Sequence, residues 1–596
     1  MSQRWIADIE SNGLLDTINT VWCIVLRCPD TDEVRQFKPH QIEEALDLLA
    51  TAAEVIGHNF VLYDYPALQI VYPDFEIKGT ITDTLILSKM IHNELYNDDL
   101  ERNWKVTPSA SSAEKFPKKF WGRHSLKAWG MRLGDFKDDY DGGWDAYSDV
   151  MLSYCVQDTS TTATLYKSLM KTEPSAQAVY LEHRMASICH EIGQNGWTFD
   201  EKAAGKLYAE LAQKRHVIEE DLKDLFPAWE VTEDFYPKRD NKTLGYKAGE
   251  LFVKSKTVYF NPSSNPHIER CLVEKYKHKF KDFTPNGQAK IDHEVLSKLP
   301  YPEAQRLATF KLIQKRIGML AEGNGAWLKK VDADGRIRHR IDPLATTSTR
   351  AAHSSPNLAQ VPSARSPYGK ECRSLFGVPE GWVLCGSDLS GIELRGLASY
   401  LHPYDGGEYA KQILEGDIHS YNAEAFGTDR DTAKTLIYSI NYGGGDMRVG
   451  EIAGGGRAKG RQLKEQFFKS VPAFATLMAN LGKAYARGYI KTCDGRKLKV
   501  RSDHRCLSQL LQSCGSLVSK WWVLLTYDEI KKQHGDDAYI VGWIHDEIQV
   551  ACKNEEIAEN VGNITRRMAE EAGRTLKLKI GIAAEHSVGR TWLETH

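Results

Sequence analysis

The sequence predicts a multidomain α/β protein, and three observations support this prediction. The 596 residues exceed what a single hydrophobic core usually organises. The first 170 or so residues alternate short apolar runs with helical periodicity, whereas residues 175–330 and 401–503 have mainly helical spacing. Short apolar runs that carry acids then return near 383–388 and 538–551. We therefore expect an α/β region, then helical regions, then a second group of strands.

The N-terminal region predicts the first of these domains. Strands are expected at 5–9 and at 21–26, with the second as the partner of the first. Apolar residues at helical spacing predict a helix within 41–53, and 55–59 predicts the next strand. A proline and several small residues interrupt the helical pattern near 171–175, which indicates a domain boundary.

The remaining chain predicts mainly helices with a few short strands. The stretch 229–264 is polar and irregular. An Asp-Gly pair within 331–338 predicts a hairpin. Residues 383–388 predict a strand that ends in an acid, and 538–551 predict two strands around the triplet His545-Asp546-Glu547.

Composition excludes several classes of protein. No run approaches ~18 apolar residues, so no membrane span is expected, and the first residues lack the apolar core of a signal peptide. The 11 cysteines have no metal-binding spacing and predict reduced thiols in a cytoplasm. The net charge is only −3, but basic clusters within 252–281 and 311–340 allow a phosphate-binding surface.

A first group of acids lies in the N-terminal region. Asp8 and Glu10 are two apart on a predicted strand and share a face, and Asp64 begins a probable helix. Tyr154 and Asp158 are one helical turn apart. Four converging carboxylates would hold two Mg²⁺ or Mn²⁺ ions that activate water against a phosphodiester, with Tyr154 orienting the water. Surface acids that cap helices are the alternative.

A second group of acids comes from distant parts of the chain. Asp388 ends a predicted strand, and Asp546 lies at the tip of the predicted C-terminal hairpin. Together these two carboxylates can hold two Mg²⁺ ions against a nucleoside triphosphate. Taken singly, Asp388 could instead cap a helix, and Asp546 could be an ordinary turn residue.

A helix between these two acids carries a regular stripe. Arg430, Lys434, Tyr438 and Tyr442 recur every four residues and therefore share one face, and glycines follow them. Two cations and two aromatic rings suit a triphosphate with a base stacked beyond it. An exposed cationic face is the alternative.

These motifs resemble family A DNA polymerases, and in particular the replicative enzymes of short-tailed phages related to coliphage T-seven. The motifs are Asp388-Leu-Ser-Gly-Ile-Glu-Leu-Arg395, Arg430-x3-Lys434-x3-Tyr438-x3-Tyr442-Gly, and the His545 triplet. The stretches 356–362, 416–419 and 510–513 are also similar, and the likeness covers nearly the whole chain. The N-terminal acids resemble the family's 3′→5′ proofreading site.

The resemblance implies an RNase H-like 3′→5′ exonuclease domain followed by a right-hand polymerase domain. Its expected parts are the exonuclease (1–172), the thumb (173–330), the palm (331–400 and 504–596) and the fingers (401–503). The implied activity is template-directed DNA synthesis with proofreading, in the replication of phage DNA within a bacterial cytoplasm. No additional 5′-nuclease domain is expected.

The resemblance also implies residue roles. Asp388, Asp546 and the Leu389 carbonyl would bind two Mg²⁺ ions, and Asp8, Glu10, Asp64 and Asp158 would bind a second pair, with Mn²⁺ as an alternative ion. The dNTP would contact Leu389, Glu393, His419, Arg430, Lys434 and Tyr438. Glu393 would exclude a ribose 2′-OH, and Lys434 would protonate pyrophosphate. Primer–template DNA would contact Arg350, Tyr442, Gln512 and His545.

The thumb departs from the phage pattern. The stretch 228–258 is much shorter than the relative's thioredoxin-gripping insertion, which argues against dependence on thioredoxin. Its basic residues would hold DNA directly or serve another factor, and a helicase–primase is an expected partner. Two other functions stay open from the sequence: an exonuclease with a degenerate polymerase module, and a nucleic-acid-binding scaffold without catalysis.

Overall fold

The computed structural model of the chain describes residues 3–105, 116–135, 140–284 and 286–596. The chain forms two compact units, one of Met1–Trp197, Arg338–Gln360 and Val378–His596, the other of Thr198–Ile337 and Val361–Gly377. Within the described residues, every helix is too short or too polar to cross a membrane.

The first unit begins with a mixed five-stranded sheet. Its strands are β1 (Arg4–Ser11), β2 (Val21–Arg27), β3 (Val34–Phe37), β4 (Glu54–Gly57) and β5 (Thr80–Asp83). They lie in the order β3-β2-β1-β4-β5, with β1 antiparallel to β2 and parallel to β4. The three predicted strands are confirmed.

Between and after these strands, the described residues of this region form seven α-helices. They are α1 (Ile42–Ala50), α2 (Asp64–Val71), α3 (Thr84–Ile91), α4 (Leu95–Lys105), α5 (Leu126–Leu133), α6 (Asp149–Met170) and α7 (Ala176–Asn195). The predicted helix within 41–53 is confirmed as α1, whose Ile42, Ala45, Leu46 and Leu49 are buried. The helical repeat of these four residues explains why they share the sheet-facing side.

The second unit is mostly helical. After β6 (Trp197–Phe199) come α8 (Glu201–Leu225), β7 (Trp229–Phe235), β8 (Phe252–Val258), α9 (Asn265–Tyr276), α10 (His293–Ser297), α11 (Pro302–Ile317) and β9 (Arg336–Ile337). A bridge between Val331 and Ile337 confirms the predicted hairpin.

The expectation of an irregular stretch at 229–264 holds for 236–251 but is wrong for the two strands on either side. β7 and β8 pair along their full length as an antiparallel hairpin, from Trp229 opposite Val258 to Phe235 opposite Phe252. Both faces are largely exposed, so neither strand carries the apolar alternation that marks a half-buried strand.

The next segments of the chain belong to the two units in turn. The hairpin β10 (Arg340–Asp342) and β11 (Ala352–Ser354) belongs to the first unit, and α12 (Gly369–Ser374) and β12 (Phe376–Gly377) belong to the second. In the second unit β12, β6 and β9 form a small sheet.

The rest of the first unit is built on a four-stranded antiparallel sheet. After β13 (Val383–Leu389) come α13 (Ile392–Asp405), α14 (Glu408–Leu414), α15 (Ile418–Phe426), α16 (Arg430–Asn441), α17 (Asp446–Ile452), α18 (Arg457–Ser470), α19 (Pro472–Arg487), β14 (Tyr489–Lys491), β15 (Lys497–Lys499), α20 (Cys506–His534), β16 (Ala538–Ile544), β17 (Glu547–Cys552), α21 (Glu555–Thr575) and β18 (Ala584–Gly589). The sheet order is β16-β17-β13-β18. The predicted strands at 383–388 and 538–551 are confirmed.

This sheet has a large apolar core behind it. The buried α20 contributes Leu517 and Trp522, and α21 contributes Val561 and Ile564, to one cluster with the strands. Because this core fixes the strands, it also fixes the acids at their ends.

Candidate functional site

Asp388 and Asp546 meet at one end of the four-stranded sheet. Asp388 lies opposite Glu547 in the antiparallel pair β13–β17, and the Leu389 amide donates a 2.9 Å hydrogen bond to the Asp546 carbonyl. The pairing places side by side two carboxyl groups that are far apart in sequence.

The turn that carries Asp546 is held rigidly from behind. His545 has a φ of +60°, a left-handed conformation that favours glycine. Its carbonyl accepts a 2.5 Å hydrogen bond from the Ser519 hydroxyl and a 3.1 Å bond from the Trp543 indole. These two bonds from the buried core stabilise an otherwise unfavourable turn.

Burial and neighbouring carboxylates raise the pKa of both groups. Loss of hydration, and then the Asp546 charge, raise the pKa of Asp388 to about 7. Loss of hydration, and then the Glu393 charge, raise the pKa of Asp546 to about 6. Two crowded oxygen donors of this kind fit a hard divalent cation such as Mg²⁺, which would offset their repulsion.

Glu547 is directed away from this pair into a buried network. Its carboxylate accepts hydrogen bonds from the Trp592 indole at 2.5 Å and the Gln549 amide at 2.7 Å, and it lies 3.0 Å from His596 Nδ1. The local sequence pattern does not indicate Trp592 or His596, because only long-range pairing brings 590–596 beneath the hairpin.

The predicted stripe lies along one side of α16. Arg430 and Lys434 are exposed, and Tyr438 is half-buried. The opposite side of the helix, including Leu436 and Ile437, is fully buried. An Asp429 carboxylate oxygen accepts a 2.9 Å hydrogen bond from the Thr432 amide and caps the helix start.

Residues of α15 meet this stripe. The Asp417 carboxylate accepts hydrogen bonds from Arg430 at 2.6 and 3.3 Å, and the His419 ring lies 6.2 Å from that of Tyr438. Burial, and then the positive charges of Lys434 and Arg430, lower the pKa of His419. The sequence pattern does not indicate the Arg430–Asp417 pair, which neutralises one of the two cations.

A cleft of about 160 Å³ lies between Tyr442, the residue that follows α16, and Asp546. Arg350, Glu393, Tyr442, His545 and Asp546 line it. The Tyr442 hydroxyl donates a 2.8 Å hydrogen bond to Glu393, and Arg350 lies 3.7 Å from the same carboxylate. Tyr442 also lines an adjoining pocket of about 240 Å³ with Gln512. The predicted DNA-contacting residues therefore line two neighbouring depressions.

A second acidic cluster lies on the N-terminal sheet. Ligand atoms of Asp8, Glu10 and Cys155 all lie within 4.8 Å of one another. The Ile9 amide, between the first two, donates a 3.3 Å hydrogen bond to Asp64. This bond joins the start of α2 to β1.

Helix α6 closes this cluster from the other side. Cys155, which the sequence analysis missed, donates its thiol to the Asp8 carboxylate at 3.3 Å. Asp158 is buried one turn later, and Tyr154 packs 5.5 Å from the Tyr140 ring. Burial raises the pKa of Asp64 to about 7, with the charges of Asp83 and Asp158 adding to the effect. These oxygen donors also fit divalent cations.

Comparison with known proteins gives concordant matches. The model of DNA polymerase family A matches residues 241–594. The DNA-directed DNA polymerases of Enterobacteria phage T3 and Escherichia phage T7 are each 33% identical over 712 aligned residues, covering 99% of this chain and 100% of theirs. The structure titled "POL domain of Pol1 from M. smegmatis complex with DNA primer-template and dNTP" has a TM-score of 0.73 at 16% identity and covers 100% of this chain and 96% of its own.

Proposed function

The chain belongs to DNA polymerase family A, and from this premise we propose that it is a template-directed DNA polymerase that adds dNTPs to a primer 3′ end. The observation that carries the proposal is the meeting of Asp388 and Asp546 at one end of the sheet, where a cleft extends from Asp546 to Tyr442, the residue that follows α16. A degenerate polymerase module or a non-catalytic scaffold would not need this set.

The two strand-end acids are the proposed metal ligands. Asp388, Asp546 and the Leu389 carbonyl would bind two Mg²⁺ ions, with Mn²⁺ as an alternative. When bound, the ions supply a lowered pKa for the primer 3′-OH and positive charge opposite the transferred phosphate. The rigid turn at His545 keeps the Asp546 backbone in place before substrate arrives.

The α16 cations are the proposed triphosphate ligands. Lys434 is exposed and available to protonate the leaving pyrophosphate, and His419 lies alongside. Arg430 must exchange Asp417 for phosphate when a dNTP binds, because the carboxylate holds its guanidinium in the free protein. This exchange keeps the guanidinium oriented while the site is empty of nucleotide.

Glu393 and Tyr438 are the proposed residues that distinguish a deoxyribose from a ribose in the incoming nucleotide. Glu393 is held by Tyr442 and Arg350, so its position does not depend on substrate. A fixed carboxylate there would clash with a ribose 2′-OH and leave it without a hydrogen-bond partner in the closed site. Arg350, Tyr442, Gln512 and His545 would contact the primer–template duplex.

The N-terminal cluster is the proposed proofreading site. Asp8, Glu10, Asp64 and Asp158 would bind a second pair of ions, and Tyr154 would orient the attacking water. The mixed sheet β3-β2-β1-β4-β5 supports an RNase H-like 3′→5′ exonuclease domain over 1–172. The division into thumb, palm and fingers at 173–330, 331–400, 401–503 and 504–596 is proposed with it.

The biological role proposed is phage DNA replication. The full-length similarity to the T3 and T7 enzymes supports it. A helicase–primase is the proposed replisome partner. The stretch 228–258 holds only the short β7–β8 hairpin, and this shortness argues against dependence on thioredoxin.

Two variants test the proposal in one assay of primer extension and primer degradation. Asp546→Ala abolishes extension with dNTPs and leaves degradation without dNTPs unchanged. Asp8→Ala does the reverse. Each variant controls for the folding of the other, and loss of both activities in either variant contradicts the proposal of two separate sites.

A further inference from the structure

Cys155 is a buried thiol in the N-terminal acidic cluster, and neither proposed reaction uses it. It lies on α6 with 0% of its surface exposed. Its sulfur lies 3.3 Å from a carboxylate oxygen of Asp8 and 3.3 Å from the Asp8 carbonyl oxygen. Buried cysteines usually act as small apolar side chains, so a thiol directed at a carboxylate needs a further explanation.

Helix α6 holds the thiol in this position. The Ser148 hydroxyl accepts a 3.1 Å hydrogen bond from the Met151 amide and caps the helix start. Met151 and Leu152, in the first turn, are buried in the same apolar cluster as Cys155. Because the helix is capped at its start and packed along this face, Cys155 meets Asp8 as part of a rigid element.

The strands that face α6 enclose the thiol from the other side. Val25, on β2, lies opposite Asp8 on β1. Cys23 lies opposite Glu10 in the same antiparallel pair. Residues opposite one another share a face of the sheet, and Val25 and Cys23 belong to the same buried cluster as Cys155. The thiol is therefore packed among apolar side chains, and the Asp8 carboxylate provides an acceptor for its hydrogen.

This hydrogen bond restricts the Asp8 side chain. An aspartate carboxylate that nothing holds rotates over a broad range. A donor on one oxygen reduces this freedom and leaves the remaining lone pairs of the carboxylate for an ion. The ligand atoms of Asp8, Glu10 and Cys155 lie within 4.8 Å of one another, so the restricted carboxylate already lies beside the second proposed ligand.

A donor of this kind has a known effect in metal sites. Groups that hold a ligand by a hydrogen bond fix its orientation, and their loss costs about 10–100-fold in metal affinity or activity. The Ile9 amide plays this part for Asp64, to which it donates a 3.3 Å hydrogen bond. The Cys155 thiol is in a position to do the same for Asp8.

We propose that Cys155 is a positioning residue of the proofreading site, whose thiol orients the Asp8 carboxylate toward a divalent ion. This inference rests on the proposed proofreading function. In this role Cys155 acts only through Asp8 and takes no part in the hydrolysis itself.

Three substitutions in the full chain separate the hydrogen bond from packing. Cys155→Ser keeps a donor, Cys155→Ala removes it, and Cys155→Val fills the space without a donor. Degradation of a single-stranded oligonucleotide is measured over a series of Mg²⁺ concentrations. The concentration for half-maximal rate rises at least about tenfold in the Ala and Val variants, whereas the Ser variant stays within about threefold of wild type. The KM for the oligonucleotide stays unchanged, since the thiol does not hold DNA.

Two controls accompany this measurement. Extension of a matched primer with dNTPs is unchanged in all three variants, because Asp388 and Asp546 lie on a different sheet. Cys271→Ala removes a buried thiol from α9 in the second unit and leaves the Mg²⁺ dependence of degradation unchanged.

Mn²⁺ binding gives a readout that is independent of the reaction. The electron paramagnetic resonance signal of free Mn²⁺ is titrated with protein that carries Asp388→Asn/Asp546→Asn, which removes the carboxylates of the polymerase site. The affinity for Mn²⁺ then falls about tenfold when Cys155→Ala is added, and much less when Cys155→Ser is added.

Two results overturn the inference. The first is a Cys155→Ala variant whose Mg²⁺ dependence and Mn²⁺ affinity are those of its parent. The second is an equal loss in Cys155→Ser and Cys155→Ala, which would assign the effect to packing. If the wild-type chain degrades no single strand, the proposed proofreading function is wrong, and the Mn²⁺ titration still decides whether Cys155 orients Asp8.

Discussion

Asp388 is a single carboxyl group whose environment makes the metal-free protein sensitive to pH. Its pKa of about 7 in the folded chain lies above its ordinary value of 3.8. A carboxyl group with a raised pKa in the fold stabilises the protein at low pH, and this contribution is lost as pH rises through 7. Loss of hydration is the larger cause of this instability at high pH, and the repulsion from Asp546, which a bound cation would remove, is the second.

We therefore predict that Asp388→Asn stabilises the protein in EDTA, more at pH 8 than at pH 6. The expected gain in Tm at pH 8 is about 1–2 °C, because solvent screens part of the repulsion. Thermal unfolding at the two pH values measures it. Asp536→Asn, at a fully exposed surface acid, is the control for the substitution itself. An equal gain in Tm at both pH values would contradict the raised pKa of Asp388.

Elements differ in how far the sequence predicts them, for reasons that depend on burial. β1, β13 and β16 bury most of their residues, so their apolar runs mark them. The β7–β8 hairpin has two exposed faces and leaves no such mark. In α16 the four-residue repeat predicted which side chains share a face, but not that Asp417 would hold Arg430.

The stripe of α16 gives a prediction about sugar discrimination. The Tyr438 hydroxyl is proposed to lie near the sugar 3′ position, where it replaces the hydrogen bond that a dideoxynucleotide lacks. Tyr438→Phe should then raise the preference for dNTP over ddNTP about tenfold, the value of one hydrogen bond. Competitive single-nucleotide incorporation measures the ratio. Tyr404→Phe on α13 is the control, and an unchanged ratio in Tyr438→Phe removes the hydroxyl from this role.

At the scale of the whole molecule, a buried charge network joins distant elements of the first unit. Glu182 on α7 accepts two 2.8 Å hydrogen bonds from Lys520 on α20 and lies 2.7 Å from Arg496. Arg496 also pairs with Asp494 at 2.7 Å, in the loop between β14 and β15. Two charges of each sign balance at a site that is closed to water.

We predict that Glu182→Gln destabilises the protein strongly, by about 3–5 kcal/mol, because it leaves a buried cation uncompensated. Adding Lys520→Met removes that cation and restores most of the loss. Thermal unfolding of both variants measures this. The exposed Arg184–Asp528 pair is the control, where Arg184→Ala costs less than about 1 kcal/mol. A double variant as unstable as the single one contradicts a balanced network.

The sequence predicted the partners of long-range sites only where their motifs were distinctive. Asp388 and Asp546 could be paired because each follows or ends a marked strand. The Glu182 network could not, because its members are isolated charged residues in helices and a loop. Likewise, Trp592 and His596 reach Glu547 only through the tertiary fold. The tertiary fold, and not the local sequence pattern, brings the members of these two networks together.

The most direct test of the central claim, that Asp388 and Asp546 form one metal-binding site, is single-turnover nucleotide incorporation by Asp388→Asn, Asp546→Asn and the double variant. Degradation of single-stranded DNA controls for folding. The rate of nucleotide incorporation should fall at least about 10³-fold in each single variant. The double variant should be no slower than either single variant, because the first change already disables the site. Single variants within tenfold of wild type, or losses that multiply in the double variant, would contradict a shared site.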